Sequence, residues 1–221
     1  MEEFLGVLFC GGKGTRLGEI TKYISKSFIP VYDKPVFKFG LSLLQKSAQI
    51  KEIIILTNKN NDKALKTLGY QTIIQNDSVT DMFSGWEFVK KKTKTKKNGV
   101  LVPSDNICDV DVDLLIRRFN KTKTEFLFSL HEIKIKAKLL EMGSFDLKKR
   151  KFYYKKSAPE VKYGVIAPYI IKNDLNYKTA GNIFEITNSE IVFHKGVWFD
   201  IGDTDSIVRA SLWRQKTNNR S

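Results

Sequence analysis

Uninterrupted apolar blocks alternate with stretches whose apolar residues recur every three or four positions along the first 130 residues. Residues 5–10 form the first block, and residues 52–57 carry Ile53-Ile54-Ile55-Leu56 at their centre. Such runs predict strands covered on both faces, the pattern of a parallel sheet. Residues 71–75, 99–102 and 124–130 read as further strands. Between them the helical period predicts helices over 36–48 (Phe39, Leu43, Leu44), 62–68, 79–92 (Met82, Trp86, Val89) and 111–119. Strand and helix in alternation argue for an α/β, Rossmann-like fold with a mostly parallel sheet.

Beyond residue 130 the pattern changes. Residues 152–154, 161–169 and 191–199 read as more polar strands, without helices of similar strength between them. They predict a smaller mixed or antiparallel sheet region beside the parallel core. Residues 206–214 read as a closing helix, and the polar residues 216–221 are expected to be a disordered tail. No internal repeat and no Pro- or Ser-rich linker divides the chain, so residues 1–221 are read as one domain.

Hydrophobic residues make up 42% of the chain and aromatics 12%, enough for a sizeable core. No apolar stretch approaches the roughly 18 to 20 residues of a membrane span, so no membrane partner is expected. Two Glu and no basic stretch at the start do not read as a signal peptide. Cys10 and Cys108 sit in apolar surroundings without a Cys-x-x-Cys pair or a Cys/His cluster. They read as reduced thiols in a cytoplasmic protein, and a zinc site is not expected. The formal net charge of +14 calls for anionic partners. Much of the excess lies in residues 90–97 and 148–151, and no nucleic-acid-binding motif accompanies it. The first run reads as a solvated helix end, and nucleic acid is not the expected partner. His131 and His194 stand at strand ends with no nucleophile motif nearby and read as structural.

The most specific chemistry follows the first strand. Cys10-Gly11-Gly12-Lys13-Gly14-Thr15-Arg16-Leu17 places three glycines in four positions, with Ser25-Lys26 and Lys34-Pro35 beyond. Glycines let the backbone turn sharply and bring its N–H groups close to a ligand. Arg16 and Lys26 add a guanidinium and an ammonium, so the run reads as a polyphosphate site. It is neither a Walker A loop nor a dinucleotide fingerprint, because no Gly-Lys is followed by Ser or Thr and Gly-x-Gly-x-x-Gly fails at Leu17. Two further signals are Val102-Pro103-Ser104-Asp105-Asn106, at a strand's carboxyl end, and Trp198-Phe199-Asp200-Ile201-Gly202.

Together these motifs resemble the sugar-1-phosphate nucleotidylyltransferases, most closely the glucose-1-phosphate thymidylyltransferase group. The resemblance implies the nucleotide-diphospho-sugar transferase fold and an Mg²⁺-dependent reaction of an NTP with a sugar 1-phosphate. Gly11, Gly12, Gly14, Thr15, Asp81 and Ser104 would bind the nucleotide, with Arg16 and Lys26 as the catalytic cations. Asp105 and Asp200 would hold the metal. Lys155, in Tyr154-Lys155-Lys156, would bind the acceptor phosphate, with Lys156 as the competing choice. Tyr163 and Gly164 would line the sugar site, and Glu185, in Phe184-Glu185-Ile186-Thr187, would accept sugar hydroxyls.

Three departures from the group bear on substrates. Asp81 stands where the group has a base-reading Gln, the segment between Glu185 and Trp198 is short, and the chain ends soon after the last motif. An ionised Asp81 only accepts and by itself would favour cytosine or guanine. The rest of the chain is most like the thymidylyltransferases, so the reading keeps dTTP or UTP first, with a cytidylyl- or guanylyltransferase acting on a non-glucose phosphate as the alternative. A non-catalytic, nucleotide-sensing subunit of the same fold is the alternative from another class. A homo-oligomer, a dimer before an allosteric tetramer, is the expected assembly.

Overall fold

The computed structural model describes residues 2–12, 14–134, 136–155, 161–177, 180–186 and 188–219. Strand β1 (Phe4–Cys10) runs into the glycine-rich turn, followed by the single-turn helix α1 (Ile20–Tyr23). A small hairpin, β2 (Pro30–Val31) and β3 (Lys34–Pro35), leads into α2 (Phe37–Lys46). Then come β4 (Ile50–Thr57), α3 (Lys59–Thr67), β5 (Thr72–Ile74), α4 (Met82–Thr93) and β6 (Asn98–Pro103). The chain continues through β7 (Asn106–Cys108), α5 (Val112–Thr122), β8 (Phe126–Glu132), α6 (Lys136–Leu139) and β9 (Gly143–Asp146). It ends with β10 (Lys151–Tyr154), β11 (Tyr163–Ile171), α7 (Ala180–Ile183), β12 (Ser189–His194), β13 (Trp198–Asp200) and α8 (Thr204–Asn218).

Nine strands make one twisted sheet in the order β10-β9-β11-β6-β1-β4-β5, with β8 joined to β11 and β12 joined to β8. Strand β1 lies parallel to both β4 and β6, with Leu8 opposite Ile55 on one side and Val102 on the other. Alternate side chains of β1 enter different cores. Phe4, Leu8 and Cys10 pack with α2 and α5 through Phe37, Leu41, Leu44, Leu115 and Phe119. Leu5 and Val7 pack with α4 through Phe83, Trp86 and Val89. A strand buried on both faces has no polar position to spare, which is why it reads as a continuous apolar run. A third, small cluster (Val31, Val36, Phe39, Ile107, Ile201, Ala210) seats α8 beside β7.

The later strands form the expected mixed, mostly antiparallel region, and it is continuous with the parallel core in one sheet. Strand β11 pairs antiparallel with β6 through residues 169–171 and with β8 along its length. The stretch 191–199 is two strands, not one: β12 lies parallel to β8, while β13 joins β7 in a separate two-stranded ribbon. Asp109 makes the break, since its Oδ1 accepts the Val197 N–H at 2.9 Å and bonds His194 Nε2 at 2.7 Å. A Cβ on Gly196 would stand 2.1 Å from that oxygen, so only glycine admits the carboxylate there.

Capping sets two helix starts away from the sequence expectation. Asn58 caps α3 by accepting from Asn61 N, so the helix begins at Lys59 rather than at 62. Asp81 and Ser84 form a capping box, so α4 begins at Met82 rather than at 79. Its last turn carries Lys90, Lys91 and Lys92, where cations complement the carbonyl end of a helix. Helix α8 runs through Asn218 into residues expected to be disordered, and its Arg214 holds Asp33 through two nitrogens. Residues 220–221 lie outside the described ones. No helix among the described residues is long and apolar enough to cross a membrane.

Candidate active site

The carboxyl ends of β1 and β6 face one cleft of about 560 Å³, the place where open α/β sheets bind ligands. Its walls include Gly11, Gly12, Lys26, Gln75, Asp81, Ser104 and Asp105. Gly14 has φ 68°, a left-handed conformation that glycine adopts without strain, and the chain continues into a 3-10 turn over Thr15–Leu17. The Gln75 side chain lies directly against Gly11, where a Cβ would be 1.9 Å from the amide oxygen. Lys13 lies outside the described residues.

Four charged side chains from distant parts of the chain meet at one side of this cleft, where Lys26 and Asp105 line it and Arg16 and Asp200 adjoin them through Asn106. Lys26 Nζ contacts Asp105 Oδ2 at 2.5 Å, and Arg16 reaches Asp200 Oδ2 at 3.3 Å. Lys26 is only 8% exposed, whereas the Arg16 side chain is 46% exposed. Arg16 also lies 3.6 Å from Glu141, a carboxylate that sequence reading did not single out. The side-chain amide of Asn106 donates to Asp105 Oδ1 at 3.2 Å and to Asp200 Oδ1 at 3.4 Å. Burial and the nearby Asp105 charge push the Asp200 carboxyl above its ordinary value, opposed by Lys26 and Arg16. Two carboxylates this close, one of them desolvated, create a demand for cationic charge.

Ser104 is buried and exchanges a 2.9 Å hydrogen bond with Ser27, whose hydroxyl donates to the Cys10 carbonyl. This stitches the loop after β6 to the segment that carries Lys26. Burial pushes the Cys10 thiol up to about 12, so it stays protonated at neutral pH and is no nucleophile. Asp81 borders the cleft, but its Oδ1 accepts the Phe83 and Ser84 N–H groups at 2.8 Å each. Its first commitment is to the helix.

The residues assigned to the acceptor sugar phosphate lie on and beside β10, β11 and α7, and Met142, which crowds Gly164, lines a small cavity together with Glu141, Trp198 and Asp200. No hydrogen bond or ion pair among the described residues ties Lys155, Tyr163, Gly164 or Glu185 to the charged cluster. Lys155 is exposed with φ 49° and its Nζ 5.2 Å above the Tyr154 ring. Tyr163 packs edge-on to Phe193, and Gly164 is crowded by Met142 and Ile133. Glu185 accepts the Phe152 N–H at 3.0 Å, an edge-strand contact. Lys156 and Thr187 lie outside the described residues. His131 and His194 bond to one another through their Nδ1 atoms at 3.1 Å, and His194 bonds Asp109. That pairing is a structural role.

Asp105 and Asp200 would suit a hard divalent cation, which needs one or two carboxylates with phosphate oxygens completing its shell. No group of three or more His, Cys, Asp or Glu converges to hold a metal among the described residues. Sequence reading missed Gln75, Glu141 and the bridging role of Asn106. Gln75 carried one usable signal: it is a polar residue just past the carboxyl end of a parallel strand.

The sequence model of the family described as "Nucleotidyl transferase" matches residues 5–139. A glucose-1-phosphate thymidylyltransferase of Neisseria meningitidis is 41% identical over 63 residues, 28% of this chain and 22% of that protein. One from Mycobacterium tuberculosis is 25% identical over 237 aligned positions, covering 93% of this chain and 80% of that protein. The translation initiation factor eIF2B subunit gamma of Caenorhabditis elegans is 29% identical over 133 positions, 56% of this chain and 33% of that subunit. The alignments with the first of these thus span about a fifth of the relative's length. Among solved structures, a protein assigned as a glucose-1-phosphate thymidylyltransferase from Bacillus anthracis, in complex with sucrose, superposes with a TM-score of 0.80. It is 20% identical and the match covers 95% of this chain and 94% of that one, a likeness of fold.

Proposed function

Since the chain belongs to the nucleotidyl transferase family, we propose that it joins an NTP to a sugar 1-phosphate, releasing pyrophosphate and an NDP-sugar. The observation that carries this reading is the double ion pair Lys26–Asp105 and Arg16–Asp200 at the mouth of the glycine-rich turn. Two cations suited to phosphate already stand beside two anions suited to a divalent metal. An arriving triphosphate would draw Lys26 and Arg16 to its oxygens and free Asp105 and Asp200 for the cation.

In the reaction an oxygen of the sugar phosphate attacks the α-phosphorus, and the bond from that phosphorus to the oxygen bridging it to the β-phosphate breaks. The electron pair leaves with pyrophosphate. Lys26 and Arg16 would stabilise the charge that grows on the leaving group, so the catalysis is positioning and electrostatics. Asp105 and Asp200 would hold Mg²⁺, which when bound would neutralise phosphate charge during the displacement. The N–H groups around Gly11, Gly12, Gly14 and Thr15 would receive the phosphates, and Lys155, Tyr163, Gly164 and Glu185 would form the acceptor side.

For the base, the capping role of Asp81 moves the reading to Gln75. A neutral amide both donates and accepts, which matches the N3–H and carbonyl of thymine or uracil. Gln75→Glu, an acceptor-only side chain when ionised, should therefore lower kcat/KM for dTTP and UTP relative to CTP. Asp81→Ala should cost about 1 kcal/mol of stability through the lost cap and leave the nucleotide ranking unchanged. A ranking that follows Asp81 and ignores Gln75 would reverse the assignment.

The function itself is tested by measuring pyrophosphate release with each NTP and dTTP, Mg²⁺ and a panel of sugar 1-phosphates. Release with dTTP or UTP supports the reading, and release only with CTP or GTP moves it to the other bases. The likeness to the eIF2B subunit gamma favours one rival, a nucleotide-binding subunit without turnover. Nucleotide binding with no release from any pair would select that rival.

A further inference from the structure

The two carboxylates share one neighbour. Asn106 bonds Oδ1 of Asp105 and Oδ1 of Asp200 with the same amide, while Lys26 and Arg16 take the two Oδ2 atoms. Asn106 stands directly opposite Asp200 in the ribbon of β7 and β13, and the Ile201 N–H donates to the Asp105 carbonyl at 2.8 Å. The backbone thus holds all three residues in one corner. Which end of the amide faces the carboxylates is decided elsewhere. The Trp198 indole N–H donates to Asn106 Oδ1 at 3.1 Å. An indole nitrogen can only donate, so it claims the amide oxygen and leaves the NH₂ for the two acids. The opposite orientation would set a carbonyl oxygen against two carboxylates.

Trp198 is itself held in place. Its ring lies 5.7 Å from that of His131, which is hydrogen-bonded to His194, which is bonded to Asp109. An unbroken series of contacts therefore runs from the turn at Gly196 to the pair of acids.

We infer that Asn106, oriented by the Trp198 indole N–H, is a positioning residue that fixes the spacing and aim of Asp105 and Asp200 for a divalent cation. This rests on the metal reading of those two residues given above. Groups that orient metal ligands in this way are worth about 10- to 100-fold in metal affinity or activity. The role is separable from backbone pairing, because Trp198→Phe keeps an aromatic ring beside His131 and removes the N–H donor to Asn106 Oδ1 along with part of the indole.

The test is Mn²⁺ binding to the full chain without nucleotide, followed by electron paramagnetic resonance, alongside the Mg²⁺ dependence of pyrophosphate release. Asn106→Ala should raise the Mn²⁺ Kd about tenfold or more and raise the Mg²⁺ needed for half-maximal rate. The KM for the sugar phosphate should stay unchanged. Trp198→Phe should weaken Mn²⁺ in the same direction in a chain that still folds, by circular dichroism, and it decides the matter if Asn106→Ala does not fold. Asp105→Asn and Asp200→Asn serve as references. If they leave Mn²⁺ binding at the wild-type value, the metal reading falls. If they weaken it while Asn106→Ala stays within about twofold of wild type, or Trp198→Phe changes nothing, the positioning role is overturned.

Discussion

Asp200→Asn should lower the rate of pyrophosphate release about a thousandfold or more while leaving the fold intact. On the proposed reading it removes an anionic metal ligand, and metal stabilisation of phosphate charge is worth several kcal/mol, with each 1.36 kcal/mol equal to a factor of ten. The fold should tolerate the change because the partner, Arg16, is 46% exposed and can turn to water. Removing one of two adjacent carboxylates also relieves the repulsion that raises the Asp200 carboxyl. Asp105→Asn should lose as much activity, but it has a second effect. Its partner Lys26 is 8% exposed and keeps only a neutral acceptor, so stability should fall by roughly 1 to 3 kcal/mol. Steady-state rates at saturating Mg²⁺, with unfolding followed by circular dichroism, separate the two. Near-normal turnover in either variant would remove that residue from the metal site.

Arg16→Ala and Lys26→Ala should lower kcat by about 10²- to 10³-fold, the usual loss when one donor to a developing oxyanion is removed. The effect should fall on kcat because the charge they meet grows as pyrophosphate departs. Arg16→Lys should also fail. The guanidinium reaches Asp200 with one nitrogen and approaches Glu141 with another, and a point charge cannot reproduce that fork. Lys26→Ala leaves Asp105 without its close counter-ion beside Asp200, so it should show lower stability as well. Rises in KM with kcat unchanged in both alanine variants would mean that the two cations only bind the ground state.

The parallel core was legible because its strands are buried on both faces. Burial on both faces leaves continuous apolar runs at residues 5–10 and 52–57, and the strands match them to within one or two residues. The glycine-rich turn was legible because a conformation such as that of Gly14 suits glycine best. The pattern thinned where burial did. In residues 191–199 both strands are half-exposed, so their apolar period does not report that a carboxylate from residue 109 cuts them apart. Asp81 is ambiguous for a related reason: a cap and a base-reading side chain can occupy the same position at the start of a helix, and only the structure reveals the hydrogen bonds that make it a cap.

By itself the sequence determined the α/β alternation, the position of the glycine-rich turn, and the identity of two cations and two acids with matching chemistry. These are local properties, written in runs and motifs a few residues long. Only the tertiary structure decided the partners. Lys26 meets Asp105 across 79 residues and Arg16 meets Asp200 across 184, with Asn106 between the acids and Gln75 against Gly11. Those pairings depend on which strands lie side by side, and strand order is set by the burial of both sheet faces together. No local pattern encodes that order.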